Sequence, residues 1–404
     1  MMVKTGMVKA GMVRRGGEVG MGRWRFGWLR GSFLLGLMAL PALTGCGKFF
    51  PPLTSGGGGS STGTGSAGDY LYAGNLGTDP LSVAGFSIAS GAFGAISGSP
   101  WSVSLEPTAM AVTPNDDYLY MGSAAGGIYV YTISSTGALS LGNNGAPVAT
   151  GVEPSVLRVD STGKWLLGAD AFAGEAYVFE IGSGGLLTSI SSSVVTLNST
   201  NPAVDLEITP SDSYVFVSCG TAGIYTMSFN SSSGALAQIN SVLSPKVTDA
   251  ADEGMAIAPS GNFLFAAETV TGGVRVFSIA SSGVISEVSG SPVTTAAGAW
   301  AVLVDSTGSY VYVANRAQDT ISAFLLSTAG ALTPISGSPF STGTLPEAMV
   351  EDKTDAYIAV ICAGGSPDLQ VFQISSTTPG ALTSFATAKT GTDPTAASSL
   401  AATH

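Results

Sequence analysis

An all-β ring of seven blades, each built from four short antiparallel strands, is the fold this sequence predicts, on three observations. Only 10% of the 404 residues are charged while 55 are glycine, which leaves too few Glu, Lys and Arg to solvate helices and supplies many turns. A phrase of aromatic and β-branched residues recurs at Tyr70, Tyr118, Trp165, Tyr214, Phe263, Tyr310 and Tyr357, at intervals of 47 to 49 residues. About 20 residues past each phrase stands a glycine placed for a hairpin: Gly91, Gly137, Gly185, Gly234, Gly283, Gly330 and Gly380. Four strands in roughly 40–50 residues is the period of a propeller blade, and six to eight such units close into a ring.

The chain before the repeats reads as an export signal and a tether. Residues 1–45 pass from the basic MGRWRFGWLRG to the apolar run Ser32–Leu43 and end in Leu43-Thr44-Gly45 before Cys46. That run is too short for a membrane span, and its flanks are those of a signal peptide. The LTGC ending resembles the bacterial lipoprotein box, so Cys46 is expected to be the lipidated N-terminus of the mature chain. Starting at Met21 would give a signal of ordinary length. Residues 46–68 continue as GKFFPPLTSGGGGSSTGTGSAG after the cysteine, a flexible linker with a reach on the order of 25 Å. The expected location is the cell envelope, with the lipid as the only membrane contact.

Residues 69–404 hold the repeats. Between each opening phrase and its glycine runs a further strand carrying Phe86, Tyr131, Phe179, Phe277, Phe324 or Phe372, and eight residues before six of the opening aromatics stand Met110, Leu157, Leu206, Met255, Val302 and Met349. The first blade lacks this inner strand, and the C-terminal segment is expected to supply it, because Asp393-Pro394-Thr395-Ala396 repeats Glu106-Pro107-Thr108-Ala109. A ring sealed in this way leaves no long unpaired edge, and the domain is expected to be a monomer.

Charge narrows the partners. Seven of the 15 basic residues precede position 31, leaving eight basic and 26 acidic side chains beyond it, a net of −18. Such a surface repels phosphate backbones and excludes nucleic acid. Strand alternation puts the variable loops on one face, called the top, and loops on a rigid frame carry function. At the top end of each second strand stand Asn75, Ser123, Asp170, Cys219, Glu268, Asn315 and Cys362, a ring expected to face the channel mouth. Glu106, Glu153, Asp252, Glu253, Glu347 and Asp393 precede the inner strands and add carboxylates to the same rim. No cofactor is expected, weak calcium binding at this rim being the one exception.

Three residue types limit the chemistry. The single histidine is His404, so Cys–His and Ser–His–Asp nucleophiles are excluded by count. Cys219 and Cys362 fall in well-separated blades and are expected to be buried free thiols. Beyond the signal only Arg158, Arg275 and Arg316 occur. Arg158 and Glu207 share one inner-strand position in adjacent blades, which fits an inter-blade ion pair or a ligand contact in the channel wall.

The phrase YVYVANRAQDTISAF at 310–324, followed by GALTPISGSPF at 330–340, resembles the seven-bladed propeller lactonase family, which includes 6-phosphogluconolactonases. The Gly-Ser-Pro tripeptide returns at Gly98-Ser99-Pro100 and Gly290-Ser291-Pro292. By that resemblance Asn315 and Arg316 fall on the family's Asn-Arg-Gly-His motif, with Ala317-Gln318 in place of Gly-His. The family's inner-strand Pro-Arg-His stands here as Pro107-Thr108-Ala109 and Pro154-Ser155-Val156.

Two functions stay open. The first is a binding module that presents its top face to a protein, a glycan or a small lactone. The alternative is a lactone hydrolase, with Arg316 as the cation and Glu268, Asp170 or Glu253 as the base. The expected ligand contacts are Asn315, Arg316, Glu268, Asp170, Glu153 and Glu253.

Overall fold

The computed structural model describes residues 68–76, 81–89, 91–190, 192–197, 201–243, 250–269, 273–365, 367–391 and 397–404. The export signal, Cys46, the tether up to residue 67 and Asp393–Ala396 lie outside these residues. Within them the chain forms seven antiparallel sheets, each of four strands in order from an inner to an outer position. In five sheets a two-residue strand adds to the third strand, as Val293–Thr294 does in blade 5. The seven inner strands contact one another in sequence, and Ala397–Ala402 touches both Pro346–Glu351 and Pro107–Val112, so the ring closes.

Packing follows from this closure. Seven apolar clusters are present, one between each pair of adjacent blades. Tyr72, Met110, Leu119 and Met121 form the cluster between blades 1 and 2, and Leu71, Phe86, Ile361 and Val371 form the one between blades 7 and 1. Every blade therefore buries both faces of its second strand, and Tyr70–Asn75, Trp165–Asp170 and Tyr357–Cys362 are buried along their whole length.

The repeat glycines do two jobs. All seven hairpin positions have φ between 72 and 82°, a conformation that glycine alone adopts without strain. They also make room for the opening aromatic of the preceding blade: a Cβ on Gly283 would lie 2.3 Å from the Tyr214 ring, and one on Gly234 would lie 2.5 Å from Trp165. The tyrosine two residues beyond the opening aromatic fastens the same hairpin in three blades, Tyr72 Oη donating to Gly137 O at 2.8 Å, Tyr120 Oη to Gly185 O at 3.0 Å and Tyr312 Oη to Gly380 O at 3.1 Å. Across the closure the fit is looser, a Cβ on Gly91 lying 3.6 Å from Tyr357 Oη.

The closing strand pairs with Tyr70–Asn75 from Leu71↔Ala402 to Asn75↔Ala397. In blade 2 the corresponding pairs run from Leu119↔Val112 to Ser123↔Pro107. Ala397 thus takes the place of Pro107, three residues later than the Asp-Pro-Thr-Ala match implies. The observed register puts Leu400 where Met110 stands in blade 2, and the sequence match would have put Ala397 there. Filling that inter-blade position decides the register.

Candidate functional site

The inner strands surround a central channel of about 610 Å³, walled mainly by Ala, Val, Leu and Met. Its lining includes Glu347 and Trp300 near the upper ends of their inner strands, the cluster Arg158, Asp205 and Glu207, and Glu351 and His404 at and just beyond the ends of theirs.

The upper group is assembled by close backbone approaches. A Cβ on Gly254 would lie 2.7 Å from Trp300 O and 2.8 Å from Ala301 Cα, so only glycine lets the inner strands of blades 5 and 6 come together here. This brings Glu253 beside Trp300. On the next loop the Arg316 N–H donates to Gly298 O at 2.7 Å, and Gly298 has φ +78° with a virtual Cβ 2.5 Å from Ala317 Cβ. Arg316 Nε then donates to Glu347 Oε1 at 2.7 Å, and its guanidinium lies 4.7 Å from the Trp300 ring centroid. Burial pushes the Glu253 carboxyl above its ordinary range, against the pull of Arg316. The result is an oriented, one-third exposed cation paired with Glu347 against an aromatic plane, and its charge is felt by Glu253.

The ring expected at the channel mouth is placed elsewhere. Asn75, Ser123, Asp170, Cys219, Glu268, Asn315 and Cys362 are all 0 to 3% exposed, and none lines the channel. Because neighbouring blades cover both faces of a second strand, its last residue turns into a loop corner. Asp170 accepts hydrogen bonds from the N–H groups of Glu153, Phe172 and Ala173 at 2.6, 2.8 and 2.6 Å, which fixes the turn and the start of the next inner strand. Asn315 lies against the Thr320 and Ser322 hydroxyls at 3.1 and 3.0 Å. The amide orientation that satisfies all its neighbours points its oxygen at these and its nitrogen at Thr295 Oγ1 and Ala296 O. It bolts together the two loops that carry Trp300 and Arg316. Glu268 is buried opposite Asp252, which pairs with Arg275 at 2.8 Å. Glu153 is exposed and outside the channel.

Of the sequence candidates, Arg316 pairs with the rim residue Glu347 and acts electrostatically on Glu253, while Asp170, Glu268, Asn315 and Glu153 are held in other contacts or stand apart. Trp300 went unread. Its signal was present, since Thr108, Ser155, Val204, Glu253 and Glu347 hold the same position ten residues before an opening aromatic and none is aromatic.

Arg158 forms the inter-blade ion pair. Its Nη2 lies 2.8 Å from Asp205 Oδ1 and 3.0 Å from Glu207 Oε1, bridging blades 3 and 4, and all three residues line the channel. Burial raises Glu207 to about 7 against the pull of Arg158, with Asp205 adding to the rise.

Cys219 and Cys362 are free and buried, and burial pushes both thiols up to about 12, far from a thiolate nucleophile. His404 is exposed, yet its backbone N–H is held by Asp116 Oδ1 at 2.8 Å. Among the described residues no three His, Cys, Asp or Glu side chains stand where they could hold a metal ion.

The sequence that folds into this ring of seven four-stranded blades matches the lactonase family of seven-bladed β-propellers over residues 94–398, and the chain belongs to that family. No curated protein matches it in sequence. Among solved structures, a Bacteroides uniformis protein named for 6-phosphogluconolactonase superposes with a TM-score of 0.66 at 19% identity, over 78% of this chain and 95% of its own. A Bacteroides fragilis protein of the same designation gives 0.66 at 18% identity, over 88% and 100%. The periplasmic gluconolactonase of Pseudomonas aeruginosa gives 0.67 at 14% identity, over 83% and 99%. At these identities the likeness establishes the fold alone.

Proposed function

We propose that this protein is an exported lactone hydrolase that acts on uncharged sugar lactones, with the reacting carbonyl held at the channel mouth by Arg316. The observation that carries the reading is the Arg316–Glu347–Trp300 cluster with Glu253 beside it. Family membership supports hydrolysis over the binding-module reading, which draws no specific support from the relatives.

The chemistry needs a cation at the oxyanion and a base for water. Arg316 is positioned by Glu347 through Nε, which leaves its terminal nitrogens to meet the carbonyl oxygen. Glu253, its carboxyl held above the ordinary carboxylate range by burial, takes a proton as water adds to the acyl carbon. The C–O bond to the ring oxygen then breaks, and that oxygen receives the proton from Glu253. The open hydroxy acid ionises as it forms and leaves against the carboxylates of the rim. The same carboxylates disfavour a phosphorylated substrate, and no second cation stands beside Arg316 among the described residues to clamp a phosphate.

Hydrolysis of glucono-1,5-lactone and of its 6-phosphate, each corrected for the uncatalysed rate, tests this directly. The unphosphorylated lactone is expected to have the higher kcat/KM, lowered roughly 100-fold or more in Arg316→Ala, with Glu253→Gln losing kcat rather than KM. Efficient turnover of the phosphate ester, or no turnover of either lactone, overturns the proposal.

Export through a lipidated Cys46 belongs to the same reading. Cys46→Ala is expected to move the chain from the membrane fraction to the soluble one, and intact-mass analysis of the native protein should show residues 1–45 gone and a lipid added. Retention of residues 21–45 in the native protein would refute the anchor.

A further inference from the structure

We infer that Arg158, Asp205 and Glu207 form a second subsite, in the channel wall between blades 3 and 4, that binds the hydroxyl groups of a neutral polyhydroxylated ligand. The fold does not require charge at this level. Seven residues before the opening aromatics, the other inner strands carry Ala111, Ala256, Leu303 and Val350, and Ala401 faces the corresponding place in blade 1. A paired cluster in a semi-buried wall contributes little over apolar side chains of similar volume, so stability alone leaves this one unexplained.

Its hydrogen bonds leave one face open. Arg158 spends Nε and Nη2 on Glu207 Oε1, Nη2 again on Asp205 Oδ1, and Nη1 on its own Leu157 carbonyl. Asp205 is further held by the N–H of Leu206 in its own strand at 2.9 Å and by that of Met255 in the next inner strand at 2.8 Å. Glu207 Oε2 accepts no hydrogen bond from a described residue, and 38% of the Arg158 side chain and 20% of the Glu207 side chain stay accessible in the channel. One cation against two carboxyl groups does not attract an anion. It offers a guanidinium edge beside an acceptor oxygen, the donor and acceptor pair that a vicinal diol satisfies. A cavity of about 610 Å³ lies mid-range for small-molecule sites of about 300–1,000 Å³, with room for more than the reacting ring at the mouth.

This subsite is independent of hydrolysis at Arg316, and binding without turnover tests it. Titration calorimetry on the full chain would use cellobiitol, a neutral disaccharide alcohol with no lactone, and cellobionate, its carboxylate counterpart. Cellobiitol is expected to bind, and to bind more tightly than cellobionate. Glu207→Leu keeps Arg158 paired with Asp205 and places at this level the residue found in blade 6, so the ring should fold; it is expected to weaken cellobiitol at least tenfold. The double variant Arg158→Leu/Glu207→Leu should abolish binding, while Arg316→Ala retains it even where hydrolysis is lost. No cellobiitol binding to the native chain, tighter binding of cellobionate, or unchanged affinity in a folded Glu207→Leu each overturns the inference.

Discussion

A chain ending at residue 391 is expected to lose the native ring, melting more than ten degrees lower or aggregating during purification. The missing segment supplies the whole inner strand of blade 1, paired with Tyr70–Asn75 over five positions. It also supplies the last residues of the seam. Tyr70 N donates to Thr403 Oγ1 at 2.8 Å, Thr403 N to Tyr70 O at 3.0 Å and His404 N to Asp116 Oδ1 at 2.8 Å. Each such bond contributes roughly 0.5–1.5 kcal/mol net, and Leu400 and Ala401 leave two inter-blade clusters at once. The exposed edge of Tyr70–Asn75 is a template for pairing with another chain. Thermal melts by circular dichroism with size-exclusion chromatography measure both effects, and an unchanged midpoint for the monomeric truncated chain would show that the last strand is not part of the closure. Leu400→Asp tests the register separately, because it is damaging only where Leu400 is the residue between the blades.

The sequence made the ring legible because each blade repeats two features with a physical reason behind them, an aromatic and the glycine it rests on in the next blade. Strand count, order and closure follow from these. The channel was harder to read. Alternation separates a buried face from an exposed one only when one face meets water, and here Leu71, Tyr72 and Ala73 are all fully buried. The position of Glu268 or Asp170 in the repeat therefore carried no information about which way its side chain looks. Inner-strand positions that break the repeat's own chemistry were the better guide: Arg158 and Glu207 among apolar residues, Trp300 among small and acidic residues. The last strand defeated register assignment because Ala397–Ala402 holds one large apolar residue, Leu400, and the better Asp-Pro-Thr-Ala match lies just before it.

Stability is expected to fall as pH rises from about 4 to about 7 and to change little above that. Asp69 is raised from 3.8 to about 7 by burial, by its hydrogen bond to Asp352 and by the charge of that carboxylate, against the opposing N–H and ammonium of Lys353. Glu351 is raised to about 7, chiefly by burial, and Asp252 to about 6 by burial despite Arg275. Glu207 moves the same way. In the unfolded chain these groups titrate near 4, so between about pH 4 and pH 7 the native state binds more protons than the unfolded one, and unfolding free energy decreases with pH throughout that window. Each tenfold gain in proton affinity on folding is worth ~1.4 kcal/mol, which puts Asp69 alone on the order of 4 kcal/mol before relaxation and screening reduce it. The seam makes the effect local as well as global: Asp116 and Lys353 stand 2.9 Å apart beside the Asp69–Asp352 pair, and His404 hangs from the same Asp116. Calorimetric scans at pH 5 and pH 8 should therefore show the higher midpoint at pH 5, by several degrees. Asp69→Asn, neutral at every pH and nearly isosteric, should narrow the gap by raising the pH 8 midpoint while leaving the pH 5 value nearly in place. A midpoint that climbs from pH 5 to pH 8 in the native chain would mean that the carboxyl pair at the seam is ionised and satisfied, with Lys353 outweighing the burial of Asp69.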